Sequence, residues 1–161
     1  MEDVNITDEE IKEAEAEAAF EYAELHAREG LEHIAAFGAP GPEAGHDKFS
    51  RLAEEYNWVV GVAPFAVSPH LHFGKLFVIC GMYPQAVVAL ARAVKLKPDD
   101  SDAHCLYARS LAMTDKLEEA LTEYTTACQL DPRLLEARFE REIVQIRIEE
   151  NERRVETARR N

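Results

Sequence analysis

The second half of the chain repeats itself at a fixed interval. Ala86, Leu90, Ala93 and Pro98 return as Ala120, Tyr124, Ala127 and Pro132, each 34 residues further on. Gly74, Phe77 and Tyr83 return in the same register as Ala108, Leu111 and Leu117. A period of this length spans one helix–turn–helix unit, which cannot bury its apolar face alone and has to stack on a neighbour. The repeat therefore constrains the fold more tightly than composition does, to an array of paired helices.

Each repeated residue type has a packing reason. Gly74 and Ala108 are small where the first helix of a unit meets its own second helix. Ala86, Ala93, Ala120 and Ala127 are small where second helices approach their neighbours, and a leucine there would overpack the contact. Phe77, Leu90, Leu111 and Tyr124 fill the spaces between helices. Pro98 and Pro132 end the second helix of each unit, because proline removes a donor and restricts the residue before it. The units run from about 67 to 98 and from about 101 to 132. In the first, Ser68-Pro69 opens a helix and Pro84 lies in the first turn of the next. In the second, Asp99, Asp100 and Ser101 are N-cap candidates, and Asp115 is expected to cap the helix that follows. A final helix, about 132–158, starts at Asp131-Pro132 and carries Leu135, Phe139, Ile143 and Ile146. Beyond Ile148 it is almost wholly charged, as a capping helix is where no further unit covers it.

Residues 1–66 read as a separate helical extension. Thr7 and Glu10 fit a capping box before an amphipathic stretch over about 8–37, and Gly30 either ends that helix or weakens it. Gly38-Ala39-Pro40-Gly41-Pro42 breaks it, within a loop over 38–45. A shorter helix over about 47–60 carries Phe49, Leu52, Tyr56 and Val59. Pro64 lies one period before Pro98, but Leu52 stands where the repeat wants a small residue. The stretch is therefore read as a packing helix in preference to a degenerate unit.

These repeated positions resemble the tetratricopeptide family over roughly residues 67–147. His70 and His104 stand where the family often has tryptophan, and Asp115 replaces the glycine matched by Gly81. The resemblance implies an all-α, right-handed α-α superhelix with the first helices of the units lining a concave surface. Carried over position by position, that surface comprises Leu71, Cys105 and Phe139, then Lys75, Arg109 and Ile143, then Val78, Ala112 and Ile146, with Ile79 and Met113 beside them. A mostly apolar groove with two stacked cations follows, suited to a peptide with hydrophobic anchors and an acidic group. The asparagines of the carboxylate clamp used by some members are absent from these columns. Size, acidity and layout are similar to bacterial type III secretion chaperones for translocator proteins.

Composition narrows the function from the other side. The 161 residues carry a net charge of −13, which argues against nucleic acid, whose binding draws on cation–phosphate contacts. It argues equally against a polybasic membrane patch. No apolar run reaches the length of a membrane span, and Met1-Glu2-Asp3-Val4 lacks a basic leader. Cys80, Cys105 and Cys128 show no metal spacing, so a reducing, cytoplasmic setting is expected. His26, Glu29 and His33 share a helical face, but no fourth ligand accompanies them. The imidazoles are expected at the surface or half-buried, Cys105 as a buried free thiol, and no cofactor or metal is expected. The function expected is a non-enzymatic protein-interaction module, an adaptor, scaffold or chaperone, holding a partner's peptide segment in the groove. The alternative is a structural or self-assembling subunit whose groove is filled by its own N-terminal helix or a neighbouring copy.

Overall fold

In the computed structural model, the residues described are 67–160 together with 21, 25, 54, 56–58, 60–61 and 65. The expected helix over 8–37 and the loop over 38–45 lie outside them apart from Glu21 and Leu25, both helical. Five helices follow one another from residue 67: α1 (Val67–Ile79), α2 (Tyr83–Leu96), α3 (Ser101–Met113), α4 (Leu117–Leu130) and α5 (Leu135–Arg160). No strand occurs among the described residues.

The turns repeat as closely as the side chains. Between α1 and α2 the Met82 N–H donates to the Phe77 carbonyl at 2.8 Å, and 34 residues on Lys116 donates to Leu111 at 2.9 Å. Such bonds satisfy the open carbonyls of a helix end and require one left-handed residue. Gly81 takes that conformation at φ 72°, and Asp115 takes it in the second unit at φ 63°. Asp115 is thus the residue that stops α3, and the expected N-cap role falls to Lys116, which makes no side-chain cap bond. Aspartate is one of the few side chains that adopts this conformation at modest cost. Asp100 caps α3, its carboxylate accepting from the Ala103 N–H at 3.0 Å. Both second helices close alike: Lys97 N–H donates to Ala93 and Asp131 N–H to Ala127, each at 2.9 Å.

The last helix starts later than its Asp-Pro pair suggests. Asp131 first forms a turn of its own, its side chain accepting from the Arg133 N–H at 2.8 Å and its carbonyl from Leu134 at 3.1 Å. Helical geometry begins at Leu135.

Each helix packs on the next in sequence, while α1 also touches α3 and α3 touches α5. Fully buried Ala86, Ala93, Ala120 and Ala127 admit that stacking. At Gly74, a Cβ would stand 2.5 Å from Leu90 Cδ2. Only glycine allows α1 and α2 that approach. Two core clusters result. One joins Tyr56 to Phe73, Phe77, Ala86, Ala89 and Leu90; the other joins Cys105, Ala108, Leu111, Tyr124 and Ala127 to Ala137 and Val144 of α5. Tyr56, one period before Leu90, is buried against Phe73 and Phe77 at ring separations of 5.5 and 5.7 Å.

Candidate functional site

The first helices of the units, α1 and α3, run beside each other, and α3 runs beside α5. Their repeated columns meet different fates. Leu71 and Val78 on α1 are half-buried. Their counterparts on α3, Cys105 and Ala112, are only 5% and 8% exposed, because Ala137 and Val144 of α5 join the same cluster. The third members, Phe139 and Ile146 on α5, stand 66% and 52% exposed. Ile143, Leu135, Met113 and Ile79 are exposed beside them. The open apolar surface is therefore concentrated on the first half of α5 and the C-terminal turns of α1 and α3. Cys105 and Ala112 are packing between helices.

Of the two cations, Arg109 is engaged within the chain. Arg109 donates to the Glu136 carboxylate, joining α3 to α5. Burial opposes the charge of Arg109, but the bond with Glu136 outweighs it and holds the guanidinium more firmly protonated than usual. Lys75 acts on Asp100. Burial alone would raise the Asp100 carboxyl, but the Ala103 N–H, Lys97 at 3.2 Å and Lys75 together hold it below the usual carboxylate range. Further along, Arg147 lies 3.6 Å from Asp115 and donates to the Ala112 carbonyl at 3.4 Å. Of the two cations expected from the sequence to meet an acidic ligand, Arg109 is thus answered from inside the protein.

Beneath the surface, the Cys105 thiol is pushed up to about 12 by burial, with Glu136 adding to the effect. It stays a neutral thiol at ordinary pH and is a poor nucleophile. Burial likewise raises the Tyr124 hydroxyl above the ordinary phenol value, with Glu140 adding to it. Tyr124 is fully buried, with Arg109 beside its hydroxyl. All three cysteines are free.

Two histidines expected at or near the surface lie in the core instead. His70 is fully buried, its Nδ1 3.0 Å from the Tyr56 hydroxyl, and His104 is 7% exposed. They occupy matching positions in the two units, where the helix must face its neighbours, and that register was the available signal for their burial. Among the described residues no group of metal-ligating side chains is assembled. The His26, Glu29 and His33 set lies outside the described residues. No described helix is long and apolar enough to cross a membrane.

No family model matches the sequence. No curated protein matches it either. Solved structures do match in fold. The first tetratricopeptide domain of Spaghetti (RPAP3), bound to an HSP90 peptide, is 17% identical with a TM-score of 0.61, covering 78% of this chain and 92% of that one. The second such domain of human RPAP3, in complex with an HSP70 peptide, is 18% identical with a TM-score of 0.57, covering 76% and 98%. MamA from Desulfovibrio magneticus RS-1 is 18% identical with a TM-score of 0.62, covering 83% and 70%. At these identities the likeness is one of fold, and the fold of this chain is that of a tetratricopeptide-type α-helical array.

Proposed function

We propose that the protein is a non-enzymatic interaction module, an adaptor, scaffold or chaperone, that holds a segment of a partner protein on its concave face. The observation that carries this reading is the open apolar surface of Met113, Phe139 and Ile143, on helices that bury Ala112, Ala137 and Val144 in the core. Uncovered apolar patches on soluble proteins commonly mark interaction sites. The peptide complexes of two RPAP3 domains with this fold support the same reading. A translocator-type chaperone would be one form of it. Cytoplasmic residence fits the three free cysteines.

Affinity purification tests it. A Met113→Ser, Phe139→Ser, Ile143→Ser variant should remain helical and monodisperse yet lose a stoichiometric partner that the unaltered protein retains. Retention of every partner by that variant would sink the groove reading.

A second reading is favoured by a different observation. An open cleft of about 430 Å³ lies between α4 and α5, lined by Leu121, Arg141, Glu142, Gln145 and Ile146. It is the place where one more helix would continue the array. In this reading the chain is a self-assembling or structural subunit, and its own N-terminal helix or a neighbouring copy fills the open face. Light scattering with and without residues 1–37 separates the two, since only loss of self-assembly changes the number of copies per particle.

A further inference from the structure

Position by position, α5 departs from α3 in two opposite ways. Ala108 and Leu111 of α3 are buried in the cluster that α3 shares with α4. One period later stand Glu142 and Gln145, both exposed. The second helix of a third unit would have to bury that carboxylate and that amide. The neighbouring columns change the other way. Ser101, Cys105, Arg109 and Ala112 of α3 become Leu135, Phe139, Ile143 and Ile146, which are 71%, 66%, 38% and 52% exposed. At spacings of three and four residues these four share one helix face. Beside this stripe the unpaired charges are self-complementary. Glu142 lines the α4–α5 cleft, and Arg138 lies one turn before it on the same flank. Both are exposed, and neither forms an ion pair among the described residues. On the other flank Glu136 is held by Arg109 and Arg147 by Asp115, while Glu140 is half-buried.

We infer that the apolar face of α5 is a homodimer interface, in which two copies pack α5 against α5 in antiparallel fashion. The inference rests on the self-assembly reading above and names its contact. About a two-fold axis, each Phe139 meets the partner's Ile143, and each Arg138 stands opposite the partner's Glu142. A parallel pairing would instead set like charges side by side, so charge fixes the direction. Leu135, Phe139, Ile143 and Ile146 of both copies, with Met113 beside them, remove on the order of 1,000 Å² from water, where specific interfaces begin. A two-fold contact closes on itself and limits the assembly to a pair.

Sedimentation equilibrium of the whole chain tests this, with circular dichroism to confirm that each variant stays folded. The unaltered protein should dimerise. Arg138→Glu and Glu142→Arg should each weaken the dimer about tenfold or more at low salt, because like charges then meet twice. Mixed one to one, the two variants should pair again, within about threefold of the unaltered Kd. Phe139→Ser should weaken every pairing. Dimers that neither charge variant weakens, or charge variants that fail to pair when mixed, overturn the inference. If such dimers disappear on removal of residues 1–37, the self-assembly reading stands with a different contact. A chain that is monomeric at every concentration sinks both.

Discussion

His104 Nδ1 lies 2.6 Å from the Glu123 carboxylate, while its Nε2 lies 3.1 Å from the Pro98 carbonyl. A carbonyl only accepts, so Nε2 carries a proton. The Nδ1 contact to the Glu123 carboxylate is short enough for a strong hydrogen bond. One ring thus ties α3 to α4 and to the turn that precedes α3.

Removing either partner strands the other. The His104 side chain is 9% exposed and that of Glu123 24%, so the histidine is the costlier loss. His104→Ala is expected to lower unfolding free energy by about 2–3 kcal/mol and Glu123→Ala by about 1–2 kcal/mol. Urea unfolding of both and of the double variant checks this; single losses that simply add would show that the pair is not coupled.

At Gly74 two effects of opposite sign compete. Replacing a helical glycine with alanine stabilises a helix by roughly 0.5–1 kcal/mol. Here the new Cβ would lie 2.5 Å from Leu90 Cδ2 and 2.6 Å from Leu90 Cγ. Leu90 is fully buried and has no room to retreat. Overpacking of about 1–3 kcal/mol then wins, and Gly74→Ala should be destabilised by about 1 kcal/mol in thermal or urea melts. A gain in stability would mean that α1 and α2 part more easily than their packing implies.

Cys105 gives a prediction in alkali. Its thiol is raised from near 9 to about 12, first by burial and then by Glu136. A raised acid keeps its proton longer in the folded chain. Its contribution is therefore fully present below about pH 9 and is lost as pH rises from there toward 12. Cys105→Ala should flatten the decline of the urea midpoint over that window. In the native protein iodoacetamide should spare Cys105 at about pH 8, with mass spectrometry showing its modification only after unfolding. Rapid native alkylation would contradict its burial.

Phe139 and Val144 share a helix but not an environment. Phe139 is 66% exposed and Val144 1%. Phe139→Ser should change stability by no more than about 0.5 kcal/mol. Val144→Ala should cost about 1–2 kcal/mol, through lost burial and a small cavity. Differential unfolding of the two variants also tells whether losses of binding at Phe139 arise from the surface or from the fold.

Much of this architecture is legible in the residues themselves. The interval between Ala86 and Ala120, or Pro98 and Pro132, determined paired helices, their lengths and the places where small side chains were needed. It did so because close helix contacts exclude side-chain volume wherever they recur. It also marked Asp115 as the counterpart of Gly81, although which of two roles an aspartate takes at a helix boundary depends on backbone geometry. Periodicity likewise assigned Leu71, Cys105 and Phe139 to one column. What it could not express is coverage: the face that α5 covers on α3 has no such cover on α5. Cys105 and Ala112 are therefore core, whereas Phe139 and Ile143 are surface. The Arg109–Glu136 bond is equally invisible in a linear pattern, since it joins residues from successive units whose separation departs from the repeat. Local spacing determined the helices and their apolar faces. Only tertiary packing decided which faces stayed open and which charges were already answered, because burial and pairing depend on what stands opposite a side chain.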